Sequence, residues 1–301
     1  MTRNISSSIV ATGHSSIVPF RTGGTCSPLF CFPGAGGNVH IFQEMAAALP
    51  QGQSVYAIDM ESLCDGDERF TIEQLAPIYL DVIRTVQKSG PYYFCGYSFG
   101  GLLAYEMAMR LAAEGDGANL VALLDAANPA MLSNLSQTDA AQFHKTYLID
   151  RLKKYGLNLM RGDIKAFTGR GLAFIVSRLG KCFTPAIKRG FRIAKRPLPK
   201  MVRSNDPLFL NAWLSYVPKR YAKSVVLFRV QDRGPEYDRD QSMGWDACAT
   251  GGVQVHIVPG SHVDMMNMPS VRVIAEKLAT YLDNGSNRNE GSKRVESVAT
   301  F

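Results

Sequence analysis

The stretch "YYFCGYSFGGLLAYEMAMRL", residues 92–111, constrains the fold more than any other part of the sequence. An apolar run typical of a buried strand ends at Tyr97, and an apolar helical pattern begins just after Ser98. Gly96 and Gly100 flank the serine in the pattern Gly-x-Ser-x-Gly. So sharp a turn from strand to helix leaves no room for side chains at those two positions and exposes the serine hydroxyl at its tip. We therefore predict a strand–turn–helix unit that presents Ser98 as a candidate nucleophile.

Strand-like and helical patterns alternate along the first 130 residues, which is typical of a mostly parallel sheet with helices on both faces. The alternation gives way to mostly helical, basic stretches over 131–215. Strand patterns return at 224–230 and 253–260, and a last helix is predicted over 270–285. The sequence therefore predicts an α/β fold in which 131–215 is a helical insertion between two strands of the sheet.

Two early helices have boundaries that the sequence suggests. One helical pattern covers 40–50, where Pro50 ends it. The other covers 71–90, with Thr71 as its N-cap and Gly90 at its end. Pro77 falls inside the second pattern, and it predicts either a kink or a later start of the helix.

The two ends of the chain differ in composition from its centre. Residues 1–16 are rich in Ser, Thr and Gly and lack the apolar core of a signal peptide, so we expect a flexible leader. Residues 286–301 are polar, and we expect a disordered tail. The domain proper is then 17–285. No stretch approaches eighteen consecutive apolar residues, so no transmembrane helix is predicted.

Six cysteines are scattered along the chain without any CxxC pair, so neither a disulfide framework nor a zinc site is expected. Cys31 and Cys95 lie inside apolar strand-like runs, and we expect them to be small buried hydrophobic residues. Reduced, scattered cysteines are typical of a cytoplasmic protein, and we expect that location here.

A serine hydroxyl is a poor nucleophile without a base, and the base must be oriented by an acid. His262 lies in "VPGSHVDMM", a loop that follows the last predicted strand. Loops at the carboxyl ends of strands carry the chemistry in open α/β sheets, so His262 is the predicted base. The positions of the other four histidines favour other roles: a leader, a helix start, a helix face and the middle of a strand (His14, His40, His144 and His256).

Two aspartates compete for the role of the acid. Asp125 follows the apolar strand "NLVALL", and Asp232 follows the strand one step later. Both lie at strand ends, so the sequence does not separate them by geometry. A charge at the end of an almost wholly apolar strand would need a partner, which favours Asp125. The remaining aspartates of this region, Asp238 and Asp240, fall in a run that we interpret as a solvated charged loop.

A tetrahedral intermediate also needs two hydrogen-bond donors for its oxyanion. In a turn of this kind, one donor is the backbone N–H of the residue after the nucleophile, here Phe99. The other comes from the loop after an early strand, here "FPGAGGN" at 32–38, and we assign it to Ala35. A glycine-rich phosphate loop is the alternative for that run, but neither GxxxxGK[ST] nor GxGxxG is present.

Six stretches together resemble the type I thioesterase domains that end non-ribosomal peptide and polyketide synthases. They are "PLFCFPGAGGN", "YYFCGYSFGGLLAYEMAMRL", "LVALLDAANP", "YAKSVVLFRV", the Gly-Trp pair at 244–245, and "VHIVPGSHVDMM". The resemblance covers about 17–285 apart from the insertion. It implies an α/β-hydrolase fold, a mobile helical lid at 131–215, and an acid on the strand after the nucleophile strand, which matches Asp125. Freestanding type II thioesterases tend to carry the acid one strand later.

The resemblance implies a serine thioesterase that releases an acyl, peptidyl or polyketide chain through an acyl-Ser98 intermediate, by hydrolysis or by cyclisation. The substrate would be carried on the phosphopantetheine of a carrier protein, and no cofactor or metal is expected. The carrier motif Gly-Gly-x-Ser-Leu is absent, which leaves open whether the carrier acts in cis or in trans. A carboxylesterase or lipase, a freestanding editing thioesterase and a non-catalytic binding module are the alternatives.

Positive charge is concentrated in the insertion. Residues 145–203 contain sixteen Lys and Arg but only two acids, so this segment has a net charge of +14 and the rest of the chain −7. A basic rim would attract an acidic carrier protein. Binding to anionic membranes, through stretches such as 187–200, and a merely solvated lid face are the alternatives. Nucleic acid is not expected, because the aromatic residues of this segment fit the apolar face of a helix (Phe167, Phe174, Phe183 and Phe191).

Overall fold

The computed structural model describes residues 17–35, 37–60, 70–133, 206–233 and 240–282. The predicted leader, the predicted tail and most of the predicted lid lie outside the described residues, and so do His14 and His144. The boundaries proposed for these segments therefore stay predictions. Among the described residues, no helix is long and apolar enough to cross a membrane.

A seven-stranded sheet forms the centre of the described fold, with the order β1-β3-β2-β4-β5-β6-β7. Its strands are β1 (Ile17–Arg21), β2 (Cys26–Phe32), β3 (Gln53–Ile58), β4 (Tyr92–Tyr97), β5 (Ala118–Leu124), β6 (Val225–Val230) and β7 (Val253–Val258). All neighbours pair in parallel except β1, which runs antiparallel to β3. The expected α/β class with a mostly parallel sheet is confirmed. The edge strand β1 was not predicted, because five residues with a proline at their centre carry a weak strand signal.

Helices connect the strands and cover both faces of the sheet. They are α1 (Gln43–Ala48), α2 (Ile72–Arg84), α3 (Phe99–Ala113), α4 (Pro129–Ser133), α5 (Asp206–Ser215) and α6 (270–282). A short 3-10 turn, Val39–Phe42, precedes α1, so the predicted helix over 40–50 is only partly α-helical. The helix predicted over 71–90 ends earlier, at Arg84.

The start of α2 is fixed by a capping box around Thr71, the residue predicted as its N-cap. The Thr71 side chain accepts from the backbone of Gln74, and the Gln74 side chain accepts from the backbone of Thr71. Pro77 lies inside the helix without delaying its start. A proline in this position removes the donor that would reach the carbonyl four residues earlier, which belongs to Glu73. Arg110 of α3 donates to that carbonyl at 2.8 Å, so the proline is tolerated through a contact between neighbouring helices.

The hydrophobic core lies on both faces of the sheet. On one face, alternate residues of the strands pack with α1 and with α6, where Ile274 and Leu278 are fully buried. On the other face packs α3, where a Cβ on Gly101 would come within 3.5 Å of the Leu123 side chain. Cys31 and Cys95 are paired neighbours on β2 and β4, and both are fully buried as free thiols, as predicted.

The turn at Ser98 has the tight geometry that its glycines indicated. A Cβ on Gly96 would lie 2.2 Å from the Gly100 carbonyl oxygen, and a Cβ on Gly100 would lie 2.1 Å from the Phe32 carbonyl oxygen. Ser98 itself has φ 53° and ψ −118°, a conformation that L-residues rarely adopt. The turn is held by the sheet, because the Ser98 N–H donates to the Leu124 carbonyl at 2.9 Å.

We expect Gly100→Ala to lower the free energy of unfolding by about 3 kcal/mol, because its methyl group would meet the backbone of β2 and not a movable side chain. Chemical denaturation would measure the change. Gly52→Ala is the matched control: its Cβ would meet the Thr25 side chain at 3.4 Å and the Cys26 side chain at 3.9 Å, both ordinary contacts, so we expect a change below about 1 kcal/mol. Equal stability of the two variants would contradict the close packing described at the elbow.

Candidate active site

Ser98 lies between the end of β4 and the first turn of α3 and is half-buried. The first N–H groups of a helix have no partner within the helix, and they leave a partial positive charge at its start. The Ser98 side chain makes no capping hydrogen bond to this turn. The elbow therefore leaves the hydroxyl available for chemistry at the positive end of α3.

The glycine-rich loop after β2 lies beside the serine. A Cβ on Gly34 would lie 3.4 Å from the Ser98 Cβ. The Gly37 N–H donates to the Gly34 carbonyl at 3.1 Å, and Gly37 has φ 72°, so the loop closes as a tight turn. Ala35 is exposed in this turn, and Phe99 is buried directly after Ser98. The two residues predicted as oxyanion donors thus belong to segments that flank the serine.

The structure brings together Asp125 and His262, which are 137 residues apart. The Nδ1 atom of His262 lies 2.6 Å from Oδ2 of Asp125. Asp125 follows β5 with φ 49°, and its side chain is completely buried, while that of His262 is 20% exposed. Asp232, the alternative acid, is exposed and donates through its backbone N–H to Gly260 at 3.1 Å. The geometry therefore favours Asp125 as the partner of His262.

Backbone groups position the Asp125 carboxylate. The Asp125 N–H donates to the Phe228 carbonyl at 2.7 Å, so the residue continues the β5–β6 pairing. Its Oδ1 atom accepts from the Val230 N–H at 3.1 Å. These contacts fix Oδ1 against β6 and direct Oδ2 to His262.

Tyr97 connects the nucleophile strand to the histidine loop. Its hydroxyl donates to the His262 carbonyl at 2.7 Å. Its ring stacks on the imidazole, with centroids 5.0 Å apart and planes inclined by 20°. Because Tyr97 directly precedes Ser98, this contact positions the histidine relative to the serine. From the sequence, Tyr97 was predicted only as the end of an apolar strand.

Arg233 is a further residue of the site that the sequence did not indicate. It lies in the run after β6 that we interpreted as a solvated loop, yet its side chain is only 15% exposed. Its Nη2 atom forms an ion pair with Oδ2 of Asp125 and donates to the Asp125 carbonyl oxygen at 3.0 Å. The same nitrogen lies 3.3 Å from Nδ1 of His262. The need of a buried carboxylate for a partner was the signal that could have indicated a cation here.

The ionisation of Asp125 follows from these contacts. Burial by itself would raise the pKa of the carboxyl group. The charge of Arg233 and the hydrogen bond from His262 outweigh burial, and they hold the pKa of Asp125 well below its usual range. Asp125 is therefore a carboxylate at neutral pH, and the imidazole bears its proton on Nδ1 when it donates to that carboxylate.

Residues 27–281 match the family model described as thioesterase domain. The chain belongs to the thioesterase domain family. CymA of Salinispora arenicola, described as a probable non-canonical nonribosomal peptide synthetase, is 35% identical over 271 residues, which are 88% of this chain and 3% of that protein. The chain thus spans a small fraction of that relative, and it spans 2% of malpinin synthetase of Mortierella alpina.

Two solved structures share the fold of this thioesterase domain. The NocB thioesterase domain, solved as a covalent complex with a fluorophosphonate nocardicin G analogue, aligns with a TM-score of 0.59 and 22% identity, over 89% of this chain and 99% of that one. A four-domain nonribosomal peptide synthetase bound to AMP and glycine aligns with a TM-score of 0.63 and 20% identity, over 90% of this chain and 21% of that one. The resemblance seen in the sequence, the α/β-hydrolase fold and the thioesterase class are confirmed.

Residues 240–245 support the segment after Asp125. The Trp245 indole N–H donates to the Ala126 carbonyl at 2.7 Å, and Trp245 is fully buried. Asp240, predicted to be solvated, is half-buried and accepts from the backbone of Ser242 and of Gly244 at 2.8 and 2.7 Å. For Asp240 the prediction was wrong, because its side chain caps a turn; Asp238 lies outside the described residues.

The other described histidines, His40 and His256, contact different residues. His40 is exposed and packs edge-on against Phe20. His256 lies in β7, where Nε2 is 2.6 Å from the Tyr281 hydroxyl. Within the described ranges, no three His, Cys, Asp or Glu side chains gather as metal ligands would. The expectations of no metal and no cofactor stay predictions, as does the reducing, cytoplasmic location.

We expect Asp125→Asn to lower the free energy of unfolding by about 3 kcal/mol near pH 7, because it leaves the cation of Arg233 poorly paired. The pKa of Asp125 is depressed in the folded state, so its stabilisation is complete above the unfolded pKa near ~3.9 and is lost as the pH falls below that value. The difference between wild type and variant should therefore shrink in acid.

Denaturant unfolding of both proteins between about pH 7 and pH 3 measures this difference. Asp246→Asn is the control, because that carboxylate is exposed. A difference for Asp125→Asn that stays constant across this range would contradict the ion pair as its source.

Proposed function

We propose that the chain is a serine thioesterase that releases an acyl, peptidyl or polyketide chain from the phosphopantetheine of a carrier protein through an acyl-Ser98 intermediate. The observation that carries the proposal is the Asp125–His262 hydrogen bond at 2.6 Å, with the imidazole stacked on the residue that directly precedes Ser98. These are the parts of a nucleophile, base and acid unit, and they lie in a chain of the thioesterase domain family.

The first half of the reaction acylates the serine. With Nδ1 donating to Asp125, Nε2 of His262 carries the lone pair and takes the proton from the Ser98 hydroxyl. Oγ attacks the thioester carbonyl, and the tetrahedral intermediate collapses with cleavage of the C–S bond. A thiol with a pKa near ~8.5 leaves readily as the thiolate, so it needs little help from an acid. Asp125 stabilises the imidazolium that forms.

The second half releases the chain. His262 returns its proton to the departing thiolate and then takes a proton from water or from an internal hydroxyl or amine of the acyl chain. Attack of that group on the ester carbonyl breaks the bond to Oγ, and His262 returns the proton to Ser98. Water gives an acid, and an internal nucleophile gives a ring. The N–H groups of Phe99 and Ala35 are the proposed donors to the oxyanion in both halves, because their segments flank Ser98.

The partner in this proposal is an acyl or peptidyl carrier protein. The relative CymA is described as a probable non-canonical nonribosomal peptide synthetase. The resemblance to the thioesterase domains of such synthetases implies a chain held on a carrier protein. Carrier proteins of these systems are generally acidic, and 145–203 has a net charge of +14. We therefore propose that the predicted basic lid receives the carrier by electrostatic attraction. Membrane binding and a solvated lid face remain the alternatives.

We expect wild-type protein incubated with acyl-loaded carrier proteins or acyl-N-acetylcysteamine thioesters to gain the mass of one acyl group, detected by intact-mass spectrometry. Ser98→Ala should show no adduct and lose at least about a thousandfold in turnover, because the triad acts as a unit. Ser89→Ala is the control: this exposed serine precedes β4, at the edge of the sheet opposite Ser98.

The same incubation separates the thioesterase from the alternatives. Matched oxyesters should react more slowly than thioesters by at least about tenfold, because an alkoxide leaves less readily than a thiolate. Faster turnover of the oxyester would favour a carboxylesterase. A folded wild type without adduct or turnover on any thioester would overturn the proposal in favour of a binding module.

We expect kcat/KM for an acyl-loaded carrier to fall about tenfold between about 50 and about 500 mM salt, because screening weakens attraction to a basic surface. An uncharged acyl-N-acetylcysteamine thioester should change by less than about twofold. Equal sensitivity of the two substrates would contradict electrostatic docking. Binding of the protein to anionic vesicles, with no preference for carriers, would favour the membrane alternative.

A further inference from the structure

We propose that Arg233 is a positioning residue of this site: its guanidinium holds the Asp125 carboxylate and, through its charge, weakens His262 as a base. The inference concerns the site of the proposed function and rests on it. It assigns a chemical role to a cation that the usual serine, histidine and acid unit does not require.

Arg233 contacts Asp125 at two points. A single nitrogen, Nη2 of Arg233, forms an ion pair with Oδ2 of Asp125 and donates to the Asp125 carbonyl oxygen at 3.0 Å. The guanidinium therefore binds both the side chain and the backbone of the acid. Arg233 follows β6, whereas Asp125 follows β5, so this contact connects the ends of two neighbouring strands. The N–H bonds of this nitrogen lie in the plane of the guanidinium, whereas those of a lysine ammonium are tetrahedral, so a lysine matches this arrangement less well.

Arg233 and His262 share one oxygen of the Asp125 carboxylate. Oδ2 of Asp125 receives both Arg233 and Nδ1 of His262, the latter at 2.6 Å. Nδ1 donates to the carboxylate, so its 3.3 Å approach to Nη2 brings two donors together and is not a hydrogen bond between them. The negative charge that would stabilise an imidazolium is thus shared with a permanent cation.

The positive charge of Arg233 also acts directly on the His262 imidazole. A cation 3.3 Å from Nδ1 opposes protonation of the ring, and the sharing of Asp125 weakens the attraction that favours it. Both effects lower the basicity of His262. Among the described residues, the titratable and charged groups in contact with the ring include Tyr97 at the end of β4, Asp125 after β5 and Arg233 after β6. Asp264 lies two positions later in the histidine's own loop, where its carboxylate accepts from the Ser261 hydroxyl at 2.6 Å.

A weaker base suits the proposed chemistry. The thiolate of the first half leaves with little need for a proton, so the strength of the imidazolium as an acid matters less than in amide cleavage. The fraction of imidazole in the neutral form matters more, because only that form accepts the proton of Ser98. Arg233 therefore keeps His262 ready as a base at a lower pH than Asp125 alone would allow.

The test compares three variants by the pH dependence of Ser98 labelling with a fluorophosphonate, and by NMR titration of the His262 imidazole. Arg233→Gln removes the charge and should raise both midpoints by about one pH unit. Arg233→Lys keeps the charge and should leave both midpoints within about 0.3 units of wild type, while the labelling rate at the plateau falls several-fold. Arg220→Gln, an exposed arginine before β6 and thus near the opposite edge of the sheet, should change neither.

Two results would overturn the inference. One is an unchanged His262 midpoint in a folded Arg233→Gln protein. The other is a shift in Arg233→Lys as large as that in Arg233→Gln, which would show that the charge is not the cause. If Arg233→Gln does not fold, Arg233→Met replaces it, because it also removes the charge and keeps a long side chain: a raised His262 midpoint supports the inference and an unchanged one overturns it. A wild type that is never labelled contradicts the proposed function, whereas the NMR titration still reports the effect of Arg233 on His262.

Discussion

The buried carboxylate of Asp125 is the constraint on which the rest of the site depends. A charge with no exposure to water is stable only when it is paired and hydrogen-bonded, and Asp125 meets that condition through three residues. Oδ1 accepts from the Val230 N–H of β6. Oδ2 contacts Arg233, which follows β6, and His262, which follows β7. Folding the sheet in the correct register is therefore also the step that assembles the acid, the base and the cation.

The nucleophile depends on a second constraint, the close approach of three backbones. The absence of side chains at Gly96 and Gly100 lets α3 start directly against β4 and lets the Phe32 carbonyl lie beside the turn. This approach brings the loop after β2 next to Ser98. Tyr97 then couples the two constraints, because it is the last residue of β4 and the ring on which His262 stacks. A displacement of β4 would therefore move the serine and the histidine together.

Local patterns were enough to predict the parts of the structure that local chemistry determines. The elbow at Ser98, the N-cap at Thr71 and the burial of Cys95 follow from neighbouring residues, and the structure confirms them. His262 and Asp125 could be predicted because each follows a strand, and the fold places the ends of parallel strands at one edge. The choice between Asp125 and Asp232 could not be derived in that way, because both follow strands. The structure distinguishes them by the burial of Asp125 and by its hydrogen bond with His262.

Two contacts could not be predicted from local patterns: that of Arg233 with Asp125 and that of Arg110 with the Glu73 carbonyl. Each contact joins residues far apart in the chain, and each residue has an ordinary local interpretation: a charged loop for Arg233 and a proline-kinked helix around Glu73. The cue for such contacts is an unsatisfied group, namely a carboxylate at the end of an apolar strand or a carbonyl freed by Pro77. Both groups require a donor, and Arg233 and Arg110 supply it.

The contacts that assemble the proposed chemistry all lie within the described residues, whereas the concentrated positive charge of this chain lies in 145–203. If the proposal holds, proton transfer and carrier binding are therefore separable. Substitutions at 145–203 should change how often a substrate arrives, because long-range attraction governs encounter. Substitutions at Arg233 should change the pH at which an arrived substrate reacts, because the guanidinium acts on the imidazole over 3.3 Å. Such a division would let partner and substrate diverge between members of the family while the base retains its strength.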